Sequence, residues 1–270
     1  MKLCRFQPLE FAAGNIARAA QEQHPSPLNG VIESDTVHEI SGKLWGPCQG
    51  SGRQWPVDSI RFLPPSTPSK IVCVGKNYVD HAAEMGGPPP PNPIIFLKPP
   101  SSIIAPEEPI VYPRISQRVD YEGEIALVIG GRCHLLGASE DVRPYILGYT
   151  CFNDVTARDL QKADGQWTRG KSFDTFCPFG PLLESDLDLA DTRLETFVNG
   201  TRKQRARASE MIFSVDVIMR WITDVMTLEP GDLIATGTPA GIGPLSAGDV
   251  VEISVSGIGT LRNPVIASEA

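Results

Sequence analysis

No stretch of the chain approaches the roughly 18 consecutive apolar residues that a membrane-spanning helix needs, and a membrane role is not expected. The opening Met1-Lys2-Leu3-Cys4-Arg5-Phe6 has no apolar core of the length a secretory leader requires, so a cytoplasmic location is expected. Cysteine is sparse and scattered: the six (Cys4, Cys48, Cys73, Cys133, Cys151, Cys177) form no C-x-x-C pair. That argues against a zinc site or a disulfide framework and leaves most of them as small buried hydrophobes. There is no internal repeat and no heptad run, which sets aside solenoids and coiled coils. Positive charge is also in deficit, with 24 basic against 32 acidic side chains and a net charge of −8. An acidic surface repels phosphate backbones, so nucleic acid is not an expected partner. The one basic run, Thr201 to Arg207, reads as a solvated turn.

What is present is an ordinary globular composition, 41% hydrophobic and 21% charged over 270 residues, enough for one large core and a small accessory unit. Residues 1–65 read as that small N-terminal unit, with short apolar stretches separated by Pro, Gly, Asn and Asp. Pro64, Pro65 and Pro68 make the following segment a linker, because each removes a backbone donor. Residues 66–270 then form the larger domain. Strands are expected at Lys70 to Gly75, Ile94 to Leu97, Ile110 to Tyr112, Glu122 to Ile129, Tyr145 to Phe152, Leu233 to Thr236 and Val250 to Val255. Helices are few: Tyr78 to Met85 capped by Asn77, Val155 to Ala163, and Ser214 to Met226. The fold class is therefore strand-rich α+β, without the alternating crossovers of a doubly wound sheet.

Five segments can carry chemistry. In Asp120-Tyr121-Glu122-Gly123-Glu124, strand periodicity puts Glu122 and Glu124 on one face, where two like charges repel. A hard cation bridging them would remove that cost, and oxygen ligands suit Mg²⁺, Mn²⁺ or Ca²⁺; a wet strand end would remove it equally well. Asp154 lies where a strand gives way to a helix, a position for a third ligand or for a helix N-cap. His81 and Glu84, three apart on a helix, can form a carboxylate-oriented imidazole suited to proton transfer, or can sit on a polar surface. Thr238, in the Gly-rich Thr236 to Gly243 loop, can offer a hydroxyl and backbone N–H groups to a carboxylate, or mark a tight turn. Gly165 to Ser172 fits the G-x-x-x-x-G-K-[ST] phosphate-loop pattern, and an ATPase is the rival class it raises. A polar helix precedes it and Pro178, Gly180 and Pro181 follow, where the pattern needs a buried strand and a long helix. Its Lys171 remains a candidate cation near an active site.

Six segments together resemble the fumarylacetoacetate hydrolase family: Val74-Gly75-Lys76-Asn77-Tyr78 with His81 and Glu84, Phe96-Leu97-Lys98-Pro99, Asp120 to Glu124, Asn153 to Gln161, Gly170-Lys171-Ser172-Phe173, and Thr236-Gly237-Thr238-Pro239. They stand in the family's order from residue 70 to about residue 265. The resemblance implies the family's mixed β-roll with a small N-terminal domain, and a homodimer. It implies Glu122, Glu124 and Asp154 as ligands of Mg²⁺ or Mn²⁺, and His81 with Glu84 as the proton-handling pair on a lid. Lys171 would stabilise developing negative charge, and Lys98, Arg158, Gln161 and Thr238 would position substrate oxygens. The longer members carry a further metal-binding acid shortly before the histidine. Lys70 to Tyr78 contains none, which places the chain with the shorter members and away from fumarylacetoacetate as substrate. The leading expectation is a divalent-metal-dependent hydrolase that cleaves a C–C bond of a small acylpyruvate through an enolate. The same site would serve an oxaloacetate decarboxylase, or an isomerase or tautomerase of a dioate such as those met in the breakdown of aromatic compounds. A non-catalytic binding protein on the same fold is the remaining alternative.

Overall fold

The computed structural model describes residues 1–9 and 26–268. Five strands form the N-terminal part: β1 (Lys2–Pro8), β2 (Leu28–Glu33), β3 (Thr36–Ser41), β4 (Gln49–Pro56) and β5 (Ile60–Leu63). The proline-rich segment after them has no regular structure. Then follow β6 (Ile71–Gly75), α1 (Val79–Glu84), β7 (Ile94–Lys98), β8 (Ile103–Ile104), β9 (Ile110–Tyr112), β10 (Val119–Tyr121), β11 (Gly123–Ile129) and β12 (Ile146–Asn153). The chain continues through β13 (Thr156–Ala157), α2 (Arg158–Asp164), α3 (Thr168–Lys171), β14 (Cys177–Glu184), β15 (Arg193–Val198) and β16 (Thr201–Arg207). It ends with α4 (Val215–Thr223), β17 (Leu233–Ala235), β18 (Gly243–Leu245), β19 (Val250–Val255) and β20 (Gly259–Ala267).

The strands make three open sheets. The largest runs β4-β3-β2-β1-β14-β12-β11-β17-β6-β7, with β5 beside β1 and β8 beside β14; the others are β13-β10-β18 and β16-β15-β19-β20-β9. The N-terminal strands therefore extend the main sheet through the β1–β14 pairing. The central strands are covered on both faces, which is why they read as unbroken apolar runs. On one face Val72, Val74, Leu127, Ile129 and Ile234 pack against Val215, Ile218, Met219 and Ile222 of α4. On the other, Ile71, Cys73, Ala126, Val128, Leu233 and Ala235 join Phe152, Phe179 and Leu183. β6 and β17 run parallel side by side, so both deliver their C-terminal ends, Gly75 and Ala235, to the same edge of the sheet.

Several local expectations are corrected. Asn77 does not cap α1; its side chain donates to Thr236 O (2.8 Å) and Phe213 O (3.1 Å) and accepts from Phe213 N (2.7 Å). The helix after Asp154 starts later, because Thr156 and Ala157 first pair with β10. Asp154 is thus not an N-cap. The strand expected from Glu122 to Ile129 is β11, starting one residue later; a short strand not expected, β10, precedes it, and Glu122 lies between the two. The basic run Thr201 to Arg207 is an edge strand, not a turn, with Gln204 and Ala206 turned inward. Five of the six cysteines are buried and free, and Cys48 is exposed. Among the described residues no helix is long and apolar enough to cross a membrane.

Candidate active site and metal centre

The β10–β11 break and the end of β12 bring Glu122, Glu124 and Asp154 together. One carboxylate oxygen from each lies within 4.8 Å of the other two, and the three residues are 4%, 1% and 1% exposed. Their backbones are locked: Asp154 N donates to Glu122 O (2.9 Å) and Glu122 N donates to Asn153 Oδ1 (3.0 Å). Like charges this close and this dry need cations. Lys171 Nζ supplies one, at 2.6 Å from Asp154 Oδ2 and 2.8 Å from Glu122 Oε2. Lys98 Nζ reaches Asp154 Oδ1 at 2.6 Å, and Arg158 clamps Glu122 through Nη2.

The three carboxylates are not equivalent. Burial alone would raise the Glu122 carboxyl, but Lys171 and Arg158 outweigh it and hold it well below the usual carboxylate range. Burial and the charges of Asp154 and Glu122 push Glu124 well above that range; its one hydrogen bond is from Gly237 N at 2.8 Å. Asp120 pairs with Arg158 and with the more exposed Arg118, Glu122 with Arg158 and Lys171, and Asp154 with Lys98 and Lys171, which leaves Glu124 as the one of these four buried carboxylates without a cation partner. A divalent cation at the triad would add positive charge, the sign an anionic substrate requires. The donor set, all oxygen, buried and convergent, fits Mg²⁺ or Mn²⁺ and equally Ca²⁺.

The surrounding residues come from distant segments. Arg158 Nε donates to Asp120 Oδ2 (2.9 Å) and Nη1 to Gln161 Oε1 (2.7 Å), so α2 is tied to β10, the strand just before Glu122. Thr238 Oγ1 donates to Gly123 O (2.8 Å) and accepts from Gln204 Nε2 (2.8 Å), while Gln204 Oε1 takes Gly123 N (3.0 Å). Gly237 has a φ of 102°, and a Cβ there would lie 2.7 Å from Asn77 Cβ; glycine is what lets this loop press against the β6–α1 turn. The loop does present an N–H to a carboxylate, as its composition suggests, but the recipient is Glu124.

His81 and Glu84 complete the site from above. His81 Nδ1 lies 3.1 Å from Glu84 Oε2, and Glu84 Oε1 accepts from Gly241 N at 3.1 Å. His81, Glu122, Glu124, Asp154, Arg158, Gln161, Lys171 and Thr238 all line one small cavity. Its open space, about 30 Å³, is enough for a water or an ion and too little for an oxo acid. Glu84 sits behind His81. Lys98 is placed behind Asp154, donating to Asp154 and to Val155 O (3.1 Å), and does not line the cavity. Sequence reasoning missed Asp120, Gln204 and Lys76, and the aromatic wall of Phe96 and Trp167, whose ring centroids are 5.1 Å apart. Asp120 is visible only as part of an acidic triplet. Gln204 stands out once the alternation of its strand is recognised. In place of a phosphate loop, Gly165 to Ser172 joins two short helices and aims Lys171 at carboxylates.

Residues 70–266 match the family model described as fumarylacetoacetate (FAA) hydrolase, C-terminal, and residues 16–65 match one described as Rv2993c-like, N-terminal. The chain is 54% identical over 234 residues to protein Rv2993c of Mycobacterium tuberculosis, covering 86% of this chain and 88% of that one. It is 42% identical over 221 residues to the mitochondrial oxaloacetate tautomerase fahd2 of Xenopus laevis, covering 77% and 69%. Among solved structures, a 5-carboxymethyl-2-hydroxymuconate delta-isomerase from Mycobacterium smegmatis superposes with a TM-score of 0.87 at 42% identity, over 99% of this chain and 100% of that one. A maleylpyruvate hydrolase from Sphingobium sp. SYK-6, in complex with manganese(II) and pyruvate, superposes with a TM-score of 0.78 at 27% identity over 100% of both.

Proposed function

The chain belongs to the fumarylacetoacetate hydrolase family of enzymes, and from that premise we propose that it is a divalent-metal-dependent isomerase of the keto–enol type, acting on a small 2-oxo acid. The observation that carries this reading is the pairing of one acid–base group, His81 over Glu84, with a buried carboxylate triad that already holds a lysine ammonium. A proton shift needs one base, support for an enolate oxygen and a dry site, and these residues supply all three. The isomerases and tautomerases among its relatives support it.

A divalent cation held by Glu122, Glu124 and Asp154 supplies, when bound, a Lewis acid for the carboxylate and 2-oxo oxygens of the substrate. Glu84 accepts from His81 Nδ1 and so leaves Nε2 free to take a proton from the carbon next to the carbonyl. Lys171 is placed to stabilise the negative charge that develops on the 2-oxo oxygen, and His81 hands the proton taken from carbon to that oxygen, which completes the shift to the enol. Arg158, held by Asp120 and Gln161, and the Thr238 loop orient the acid. α1 has to lift to admit substrate, since the closed cavity does not accommodate one. Cleavage of an acylpyruvate is the second reading, with His81 taking its proton from water; the maleylpyruvate hydrolase among the solved relatives favours it. Decarboxylation of oxaloacetate would draw on the same enolate support.

The deciding assay follows oxaloacetate and acetylpyruvate on metal-stripped protein with and without Mg²⁺ or Mn²⁺. Metal-dependent loss of the oxaloacetate enol signal without cleavage of either compound supports isomerisation. Cleavage of acylpyruvate supports hydrolysis. His81→Ala should lower the relevant rate by about 10²–10⁴-fold while metal still binds.

The same reading carries a homodimer. β7 ends the main sheet with Ile94 and Leu97 36% and 48% exposed, beside a groove of about 840 Å³ lined by Phe96, Pro99, Pro100 and Trp167. An apolar sheet edge of this kind calls for a partner, and a second copy is the occupant we propose; sedimentation equilibrium reads it directly, and a monomer at micromolar concentration would refute it.

A further inference from the structure

Lys76 follows β6 and points its ammonium toward the lid segment: a Cβ built on Gly87, just beyond α1, would lie 4.0 Å from Lys76 Nζ. It is partly buried and lines the same cavity as the triad. The other basic side chains of that cavity are all committed, Lys171 and Arg158 to carboxylates and His81 to Glu84. Lys76 is the exception among the described residues, with neither an ion pair nor a hydrogen bond. Its backbone is unusual as well. Lys76 has a φ of 56°, in the left-handed region, where glycine would be the unstrained choice. Of the six non-glycine residues held there among the described residues, it alone lines the cavity. A sharp turn explains the conformation, because Asn77, next in the chain, is pinned to Thr236 and Phe213. It does not explain why a lysine stands where glycine would serve.

A half-buried cation left without a partner in the wall of this cavity is positioned for an anion brought from outside. The carboxylate and 2-oxo oxygens of the substrate belong at the triad and Lys171, so the anion for Lys76 must be a second group at the far end of the molecule. We infer that Lys76 receives the distal carboxylate of a short dicarboxylic 2-oxo acid and thereby sets the substrate class, dianions over monoanions. This rests on the reading of the site as one for 2-oxo acids. Closure of α1 over the bound dianion would then bury the ion pair, strengthening it as water leaves.

The test compares oxaloacetate with its 4-methyl ester, which keeps the skeleton and removes the distal charge, on the Mg²⁺-loaded protein. Calorimetry gives Kd and enol absorbance gives kcat/KM. Wild type should favour the dianion by about 10- to 100-fold, the worth of a charge-assisted hydrogen bond. Lys76→Gln should bring that ratio near one, and Lys76→Arg should keep most of it. Oxalate, which has no distal group, should bind wild type and Lys76→Gln alike. Lys76→Gly should melt no lower than wild type, since it relieves the left-handed backbone, yet should lose the preference. A Kd ratio near one in wild type, a ratio that survives in Lys76→Gln, or oxalate binding lost together with the dianion would each overturn the assignment. Turnover of neither compound with the Kd ratio intact would strike the proposed reaction and leave Lys76 as the reader of the distal charge.

Discussion

Lys171 Nζ lies 2.6 Å from Asp154 Oδ2, although the two residues come from different elements and neither is more than 2% exposed. The same ammonium reaches Glu122, so the protein's own cation serves two members of the triad and leaves the third, Glu124, with a backbone N–H. The triad is therefore held together without metal, and Glu124 is the member with no cation bonded to it, which is why burial and its neighbours push its carboxyl up.

Removing that ammonium should make the fold depend on metal. Lys171→Met leaves Asp154 and Glu122 facing each other with less counter-charge, and breaking a buried pair in this way costs about 3–5 kcal/mol. Melting in a chelator should show a large loss against wild type, and Mg²⁺ or Mn²⁺ should restore much of it. Equal melting temperatures of the two proteins in chelator would show that Lys171 is not what holds the triad.

The converse change should cost metal and not fold. Glu122→Gln with Glu124→Gln keeps shape, and Lys171 and Arg158 keep Asp154 and Asp120 as charged partners, so the double variant should stay folded and retain no stoichiometric divalent metal after dialysis. Retention of one equivalent would move the metal site elsewhere.

The parts of this site that were legible in the sequence are those whose signal is local. β9 is legible in full as a short apolar run between prolines, and β19 in full as an alternation of buried and half-buried positions between turn residues. His81 and Glu84 are a helix turn apart, and Glu122 and Glu124 show their shared face by spacing alone. β14 was hidden because Pro178, Gly180 and Pro181 are read as breakers, yet its remaining donors and acceptors pair with β1 and β12. β16 was hidden by its charges: Arg and Lys occupy the outer positions of an edge strand, where they protect it from further pairing, and only Gln204 and Ala206 face in. What no local pattern could give is the convergence itself. That Lys98 would end behind Asp154, or that Arg158 would bridge Asp120 and Glu122, follows from the sheet order and from the turn of α2 against β10.

Acid should expose the role of Asp232, which ties the linker to the start of β17. It accepts from Ser69 N (3.0 Å), Ser69 Oγ (2.7 Å) and Glu229 N (2.8 Å), and pairs with Lys70. Burial alone would raise its carboxyl, but Lys70 and these donors outweigh it and hold it below the usual carboxylate range. A carboxylate depressed by folding adds stability at pH values above its unfolded value, near ~3.9, and that stability is lost as pH falls through the folded value. Asp232→Asn should therefore be less stable than wild type at pH 7, by about 2 kcal/mol for the lost charge-assisted bonds. The gap should close as the pH is taken below 4. Urea midpoints for both proteins across that range check it; a gap that is constant with pH would mean that the charge of Asp232 is not what counts.

The last prediction concerns the latch that aims His81. Glu84 receives Gly241 N at 3.1 Å, and the same glycine's carbonyl accepts from Tyr121 Oη at 2.8 Å, so the lid is registered to β10, the strand just before Glu122, through one residue. Gly241 has a φ of 98°, and a Cβ there would stand 2.4 Å from Lys203 O, a backbone atom that cannot swing aside. Gly241→Ala must displace the loop, and with it the donor that fixes Glu84. The triad lies below this contact and keeps its own hydrogen bonds, so metal affinity should hold while kcat falls by about 10–100-fold, the cost of a mis-set base. Tyr121→Phe removes one hydrogen bond without crowding and should lower kcat in the same direction by less. If metal titration and kcat change together in Gly241→Ala, the loop supports the metal centre as a whole. If kcat is unchanged, His81 takes its aim from the closed lid itself and not from the Gly241 contact.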